Sequence, residues 1–193
     1  MVLKKSKLAL NKAVEFLNNG GVVVCPTDTV YGFLALAGNK KAVNKIYKIK
    51  KRPKSKPLPI FVKDLKSAKD LVEIDAKQEK IIKSKWPGKY TFILPSLRGA
   101  KATKQSRFCE TRSHTVAIRI PKYKFLNDLL KKINKPLAQT SVNISDNPPL
   151  VKISDIMYQF GKYDILIIDA GNLKKSKPSR IIDLTGDVLT RIR

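Results

Sequence analysis

The sequence predicts a single α/β domain, residues 1–193, built on a mixed β-sheet flanked by helices. Three observations carry that expectation. Short β-branched runs alternate with amphipathic stretches along the whole chain. No internal repeat or Pro/Gly/Ser-rich linker divides them. The last two apolar runs face each other across Gly186-Asp187, a hairpin signal that makes the sheet mixed rather than purely parallel.

Each element has a local reason. Leu10, Ala13, Val14 and Leu17 share one helical face, and Asn18-Asn19-Gly20-Gly21 stops that helix. Val22 to Cys25 reads as a buried strand that runs straight into Pro26-Thr27-Asp28-Thr29. Asn39 can cap a helix that turns Val43, Ile46 and Tyr47 inward. That helix must end before KRPKSKP, where Pro53 and Pro57 break it. Residues 58–62, LPIFV, read as a strand. Asp64 and Asp75 can each cap a short helix, the second reaching Trp86. After the Pro87-Gly88 turn, YTFIL reads as a strand. Residues 96–112 have no apolar period and read as a long mobile loop. TVAIRI at 115–120 alternates as a strand does, KFLNDLLKKIN is an amphipathic helix, and PLAQTSVN is a strand ending in polar residues. Ser154 can cap a short helix to Gly161. ILIID at 165–169 is a buried strand, and RIIDLTGDVLTRIR gives the closing pair.

The length suits one core without covalent staples. Forty basic residues stand against fifteen acidic ones, for a net charge of +25. Such a surface attracts polyanions, although lysine spread through every segment reads equally as a compositional habit. Only eight of the forty bases are arginines. Arginine offers a planar, bidentate fork, so these few positions are the more informative.

Two cysteines, Cys25 and Cys109, and one histidine, His114, give no zinc spacing and no disulfide framework. Reduced thiols fit a cytoplasmic protein. No signal peptide is legible, and no apolar run reaches the eighteen or so residues of a membrane span.

Polar clusters at strand ends mark the candidate site, since ligands of open α/β sheets sit there. They are Thr27-Asp28-Thr29, then Ser141 and Asn143, with Ser179 just before the penultimate strand. Arg119 lies inside TVAIRIP, where a cation is costly unless it meets a cleft or an anion. In KIKKRPKSKP, an extended segment would alternate Lys50, Arg52, Lys54 and Lys56 onto one face, which suits a triphosphate. A solvated lysine-rich loop is the plainer alternative. Neither GxxxxGK[ST] nor GxGxxG is present. Plainer readings also exist elsewhere. Thr27 and Thr29 can make local hydroxyl turns, Ser141 and Asn143 can cap a turn, and His114 has no triad partner. Asp28 and Asp183 can bind magnesium or simply form turns.

Together the blocks PTDTVYGF, KIKKRPKSKPLPIFV, WPGKYTFIL, TVAIRIP, TSVNIS and PSRIIDLT, in this order, resemble the YrdC-like threonylcarbamoyl-AMP synthase family, in its short single-domain form. The resemblance implies a twisted sheet with a basic concave face. It also implies a reaction in which L-threonine, bicarbonate and ATP give threonylcarbamoyl-AMP and pyrophosphate, with Mg2+ accompanying ATP and no dedicated protein ligand for the metal. The product would pass to a threonylcarbamoyl transferase complex that makes the t6A modification of tRNA, and tRNA itself is a candidate partner.

By position, the resemblance assigns Lys50 and Arg52 to the triphosphate, with Lys54 or Lys56 helping. It gives Ser141 and Asn143 to threonine and nucleotide, Arg119 to the threonine carboxylate, and Thr27 and Tyr31 to the threonine pocket. Thr115 falls at a nucleotide position and Ser179 at a threonine position. Arg193 is a late nucleotide contact for which Arg191 competes. Lys89 and Arg180 depart from the family pattern, which commonly has proline and threonine there. Two rival readings are a non-catalytic double-stranded RNA or tRNA-binding module and an accessory domain of hydrogenase maturation. The latter normally sits in a longer chain with zinc-finger motifs.

Overall fold

The computed structural model describes residues 1–97, 114–186 and 190–192. Ten strands form one sheet, and six helices pack around it among the described residues. In chain order the strands are β1 (Val2–Lys4), β2 (Val23–Cys25), β3 (Gly32–Leu36), β4 (Ile60–Phe61), β5 (Tyr90–Pro95), β6 (Thr115–Arg119), β7 (Leu137–Ser141), β8 (Leu166–Asp169), β9 (Arg180–Asp183) and β10 (Thr190–Arg191). The helices are α1 (Lys7–Asn18), α2 (Lys40–Lys50), α3 (Leu65–Lys69), α4 (Ala76–Lys83), α5 (Lys124–Ile133) and α6 (Ile153–Phe160).

The spatial order is β1-β8-β2-β3-β7-β4-β6-β5-β9-β10. Parallel pairs (β1 with β8, β8 with β2, β4 with β6, β5 with β9) mix with antiparallel ones, including the closing β9–β10 pair. The sheet is therefore mixed, as the terminal hairpin signal implied.

Two apolar layers cover the sheet. Because side chains alternate along a strand, Val24 enters one layer while Val23 and Cys25 enter the other. Ala9, Ala13 and Leu17 of α1 pack with Leu126, Leu129, Leu130 and Ile133 of α5 on the second face. On the first, the rings of Phe33 and Phe160 meet edge-on at 5.1 Å and 88°, a favourable aromatic geometry. Burial raises the Cys25 thiol far above its ordinary range, so it is a small core residue.

Capping follows the sequence at three helices. Asn39, Asp64 and Asp75 each accept a backbone N–H of the first turn, and Asp75 and Gln78 complete a capping box. Several elements differ from expectation. Strand β4 is only two residues long, and α4 ends at Lys83 rather than Trp86. Helix α6 has Lys152 at its N-cap, and the Ser154 hydroxyl donates to Asp155 instead. Strands β1 and β3 had not been read. Most of the 96–112 loop lies outside the described residues.

The largest correction concerns residues 48–57. They do not run extended. Lys50 is the last residue of α2, Lys51 caps it in the left-handed region at φ 53, and Lys56 N donates to Pro53 O across a turn. The helix continues to Lys50 because the Pro53 ring restricts only the residue before it. Lys50 therefore points inward and is 1% exposed, while Lys54 and Lys56 are exposed, so the four cations share no face.

Candidate functional site

Between β7 and β9 one sheet face lacks a full helical cover among the described residues. Ile93, Ala117, Gln139 and Ile181 are only partly buried there, and they form the floor of a cavity of about 470 Å³. Their neighbours Phe92, Val116, Ile118, Ala138 and Ile182 point the other way, into the core. The pleat thus gives the same four strands a core face and a site face.

The walls come from segments far apart in sequence. Thr27 to Gly32, Lys50, Arg52, Arg119, Ser141, Asn143, Ser145 to Asn147, and Pro178-Ser179 all contribute, except Asp28, which lies off the wall. Eight of the expected site residues meet here: Thr27, Tyr31, Lys50, Arg52, Arg119, Ser141, Asn143 and Ser179. Three do not line the cavity. Lys54 lies on a separate basic groove along the outer side of α2, and the Lys56 ammonium reaches Asp146 at 3.3 Å. Thr115 sits at the opposite end of β6 from Arg119, four residues away. Arg193 lies outside the described residues.

Lys50 is the centre of one wall. Its ammonium donates to Ser141 O at 2.6 Å, Asn143 O at 2.9 Å and Asn143 Oδ1 at 2.7 Å, which uses all three of its N–H donors. The Ser141 hydroxyl donates to the same Asn143 Oδ1 at 2.7 Å, and Asn143 Nδ2 donates to Asn147 O. Burial, then the nearby Arg52 guanidinium, push the Lys50 ammonium down to about 7, against the opposing pull of Asp146. Arg52 donates from Nε to Lys56 O and from Nη2 to Pro57 O, which pins it across the turn after α2.

The opposite wall holds a buried ion pair. Arg119 Nη2 lies 2.6 Å from both carboxylate oxygens of Asp28, and Nε donates to Gly88 O at 2.8 Å. The two side chains are 2% and 8% exposed. Burial lowers the affinity of the guanidinium for its proton, and Asp28 opposes this. The Phe61 ring lies 5.6 Å from Arg119 Cζ. Asp28 is thus an ion-pair partner, and Asp183 accepts from the Thr185 amide and hydroxyl in a turn.

The Thr27 hydroxyl closes a local turn, donating to Val30 O at 2.7 Å and accepting from the Thr29 and Val30 amides. The Tyr31 hydroxyl donates to Gly171 O at 2.7 Å and accepts from Ala170 N, and burial raises it to about 12. That bond anchors the loop whose far end carries Ser179. Thr91 in turn donates to the Ser179 hydroxyl at 3.0 Å.

Sequence reasoning missed Gln139, Asp146 and the partner of Arg119. Gln139 carried a usable signal: it is polar within a strand and two residues from Ser141, hence on the same face. The Asp28–Arg119 pairing spans 91 positions and has no local signal.

No group of three or more His, Cys, Asp or Glu side chains assembles among the described residues. No helix there is long and apolar enough to cross a membrane.

Comparisons with known proteins agree with this architecture. The Sua5/YciO/YrdC family model, described as telomere recombination, matches residues 15–193. A Methanocaldococcus jannaschii protein provisionally named threonylcarbamoyl-AMP synthase is 36% identical, covering 94% of this chain and 85% of its own. The Bacillus subtilis threonylcarbamoyl-AMP synthase is 31% identical over 94% of this chain, which spans only 52% of that relative. Among solved structures, Escherichia coli YciO superposes with a TM-score of 0.89 at 26% identity, covering 100% of this chain and 94% of its own. P. abyssi Sua5 complexed with L-threonine superposes with a TM-score of 0.86 at 28% identity, and this chain spans 56% of it. With nearly the whole sequence matched and the sheet superposed end to end, the chain belongs to the Sua5/YciO/YrdC family.

Proposed function

We propose that this protein is a threonylcarbamoyl-AMP synthase, which converts L-threonine, bicarbonate and ATP to threonylcarbamoyl-AMP, pyrophosphate and water. The observation that carries the reading is the cavity itself. Three cations, Lys50, Arg52 and Arg119, converge there with the polar groups of Thr27, Ser141, Asn143 and Ser179, and no acid–base triad is present among the described residues. The names of the two relatives and the threonine complex of Sua5 support the same choice.

The chemistry asks little of the protein beyond placement. The threonine amine takes up carbon dioxide, a carbamate oxygen attacks the α-phosphorus, and pyrophosphate leaves. Negative charge must be neutralised and two anions held in line, which fixed cations in a partly enclosed site do well. In this reading Arg52, with Lys50 beside it, faces the phosphates. Arg119 takes the threonine carboxylate, and Thr27, Ser141 and Ser179 line the amino-acid side. Asn143 orients the nucleotide.

Magnesium would arrive on the ATP phosphates. The cavity wall carries a single carboxylate among the described residues, Asp146, against three cations, and this fits a metal carried by the nucleotide rather than by the protein. The threonylcarbamoyl-adenylate would pass to a transferase complex acting on a tRNA adenosine.

The test is pyrophosphate release from MgATP with L-threonine and bicarbonate together, each alone, and with L-serine or L-valine in place of threonine. Release that needs both and prefers threonine is expected. No release from folded protein under any combination overturns the reading, and tRNA binding titrated against salt then becomes the next measurement.

A further inference from the structure

We infer that Asp28 is a positioning residue for the amino-acid carboxylate, acting through Arg119; the inference rests on the threonine reading above. Four observations lead to it. Arg119 lines the cavity and Asp28 does not, so the carboxylate sits behind the wall rather than on it. The pair is almost fully buried, which excludes a loose surface contact. The guanidinium is fixed on two edges, by Asp28 at Nη2 and by Gly88 O at Nε. Asp28 is itself held by the Lys122 backbone amide at 3.2 Å.

The consequence is geometric. A free guanidinium offers a five-donor fork that grips a carboxylate at two points. Here the Nε and Nη2 donors are engaged, and Nη1 is left without a partner among the described residues. Arg119 therefore presents one nitrogen in one orientation, and a substrate carboxylate meets a single aimed contact. Asp28 also balances the arginine's charge, so the wall offers direction more than net attraction. Asp28 sits between Thr27 and Thr29, both on the wall, so the same pair fastens the hydroxyl turn to β6.

The experiment measures binding and turnover with wild type, Asp28→Asn, Arg119→Met and the double variant, using L-threonine, L-threoninamide and ATP as probes. Asp28→Asn is expected to raise the KM for threonine at least tenfold, to leave the KM for ATP within twofold, and to leave the weak binding of threoninamide unchanged. A merely structural defect would move all three together. In the Arg119→Met background, Asp28→Asn is expected to add no further loss for threonine, because its route of action is gone. The double variant replaces both buried charges with neutral groups, so it keeps the test valid should Asp28→Asn alone fail to fold. Unchanged threonine KM in Asp28→Asn, parallel rises for threonine and ATP, or additive losses in the double variant would each overturn the inference. A wild type that binds no threonine overturns the reaction and the inference together. A wild type that binds it, matched by Asp28→Asn, overturns the inference alone.

Discussion

Lys50 Nζ lies 2.7 Å from Asn143 Oδ1, and the same ammonium holds the backbone carbonyls of Ser141 and Asn143. One side chain at the end of α2 therefore sets the shape of the polar turn after β7. Lys50→Met is expected to take the donor from the Ser141 and Asn143 carbonyls, at a cost of about 1–3 kcal/mol each where water does not replace it, while Asn143 Oδ1 keeps the Ser141 hydroxyl. Adenylate formation should be lost with it. Thermal unfolding and pyrophosphate release check the two effects; an active, fully stable variant would contradict the assignment.

The same lysine predicts a pH dependence. Its folded pKa of about 7 lies below the ordinary 10.5. Between those values the unfolded chain binds more protons than the folded one, so this group adds stability as pH rises from about 7 towards 10.5 and loses it as pH falls to 7. Its positive charge declines over the same rise. The dissociation constant for ATP, read by calorimetry, is expected to increase between pH 7 and 9 in wild type and to stay flat in Lys50→Met. Denaturant titrations across that range check the stability limb.

Arg52 and Lys54 are two residues apart but should behave differently. Arg52 lines the cavity and Lys54 does not. Arg52→Ala is expected to raise the KM for ATP more than tenfold, and Lys54→Ala to leave it within twofold. Steady-state kinetics at fixed salt separates them; equal effects would mean that the phosphates follow the outer groove instead.

How much of this was legible beforehand depends on the range over which each residue acts. Asn39, Asp64 and Asp75 cap helices through bonds three residues away, so their roles could be read directly. The polar ends of β2 and β7 stood out as hydroxyls and amides beside apolar runs. Lys50 lines the cavity, but by a geometry other than the one expected. The alternation of charge in 48–57 looked like an extended strand, but the helix continued to Lys50 and turned that residue alone inward. Asp28 was read as a turn former or metal ligand because its partner is 91 positions away. Strand β3 was missed because Tyr31-Gly32 follows a turn with no polar gap, and its pairing with β2 and β7 is set by tertiary contacts.

Thr27→Val tests the hydroxyl turn. The Thr27 oxygen serves four local bonds, with Val30 O, the Thr29 and Val30 amides and the Thr29 hydroxyl. Losing them is expected to cost about 1–3 kcal/mol and to erode the preference for threonine over valine, measured as the ratio of kcat/KM values. Lost stability with intact selectivity would assign the hydroxyl to the turn alone.

Phe33→Ala is a control on the core. Phe33 is fully buried and meets Phe160 edge-on. The substitution is expected to cost about 3–5 kcal/mol, read by chemical denaturation, with kinetic constants near wild type in the molecules that remain folded.

Strand β1 pairs with β8 in parallel, Val2 opposite Ile167, and β2 pairs with the other edge of β8. Strand β1 therefore has no partner in this sheet until some 165 residues later. While the ribosome is still elongating, Val2–Lys4 and the inner edge of β2 present unpaired backbone to the cell. The chain's most vulnerable interval is its own translation, and the emergence of Leu166–Asp169 from the exit tunnel is the event that ends it.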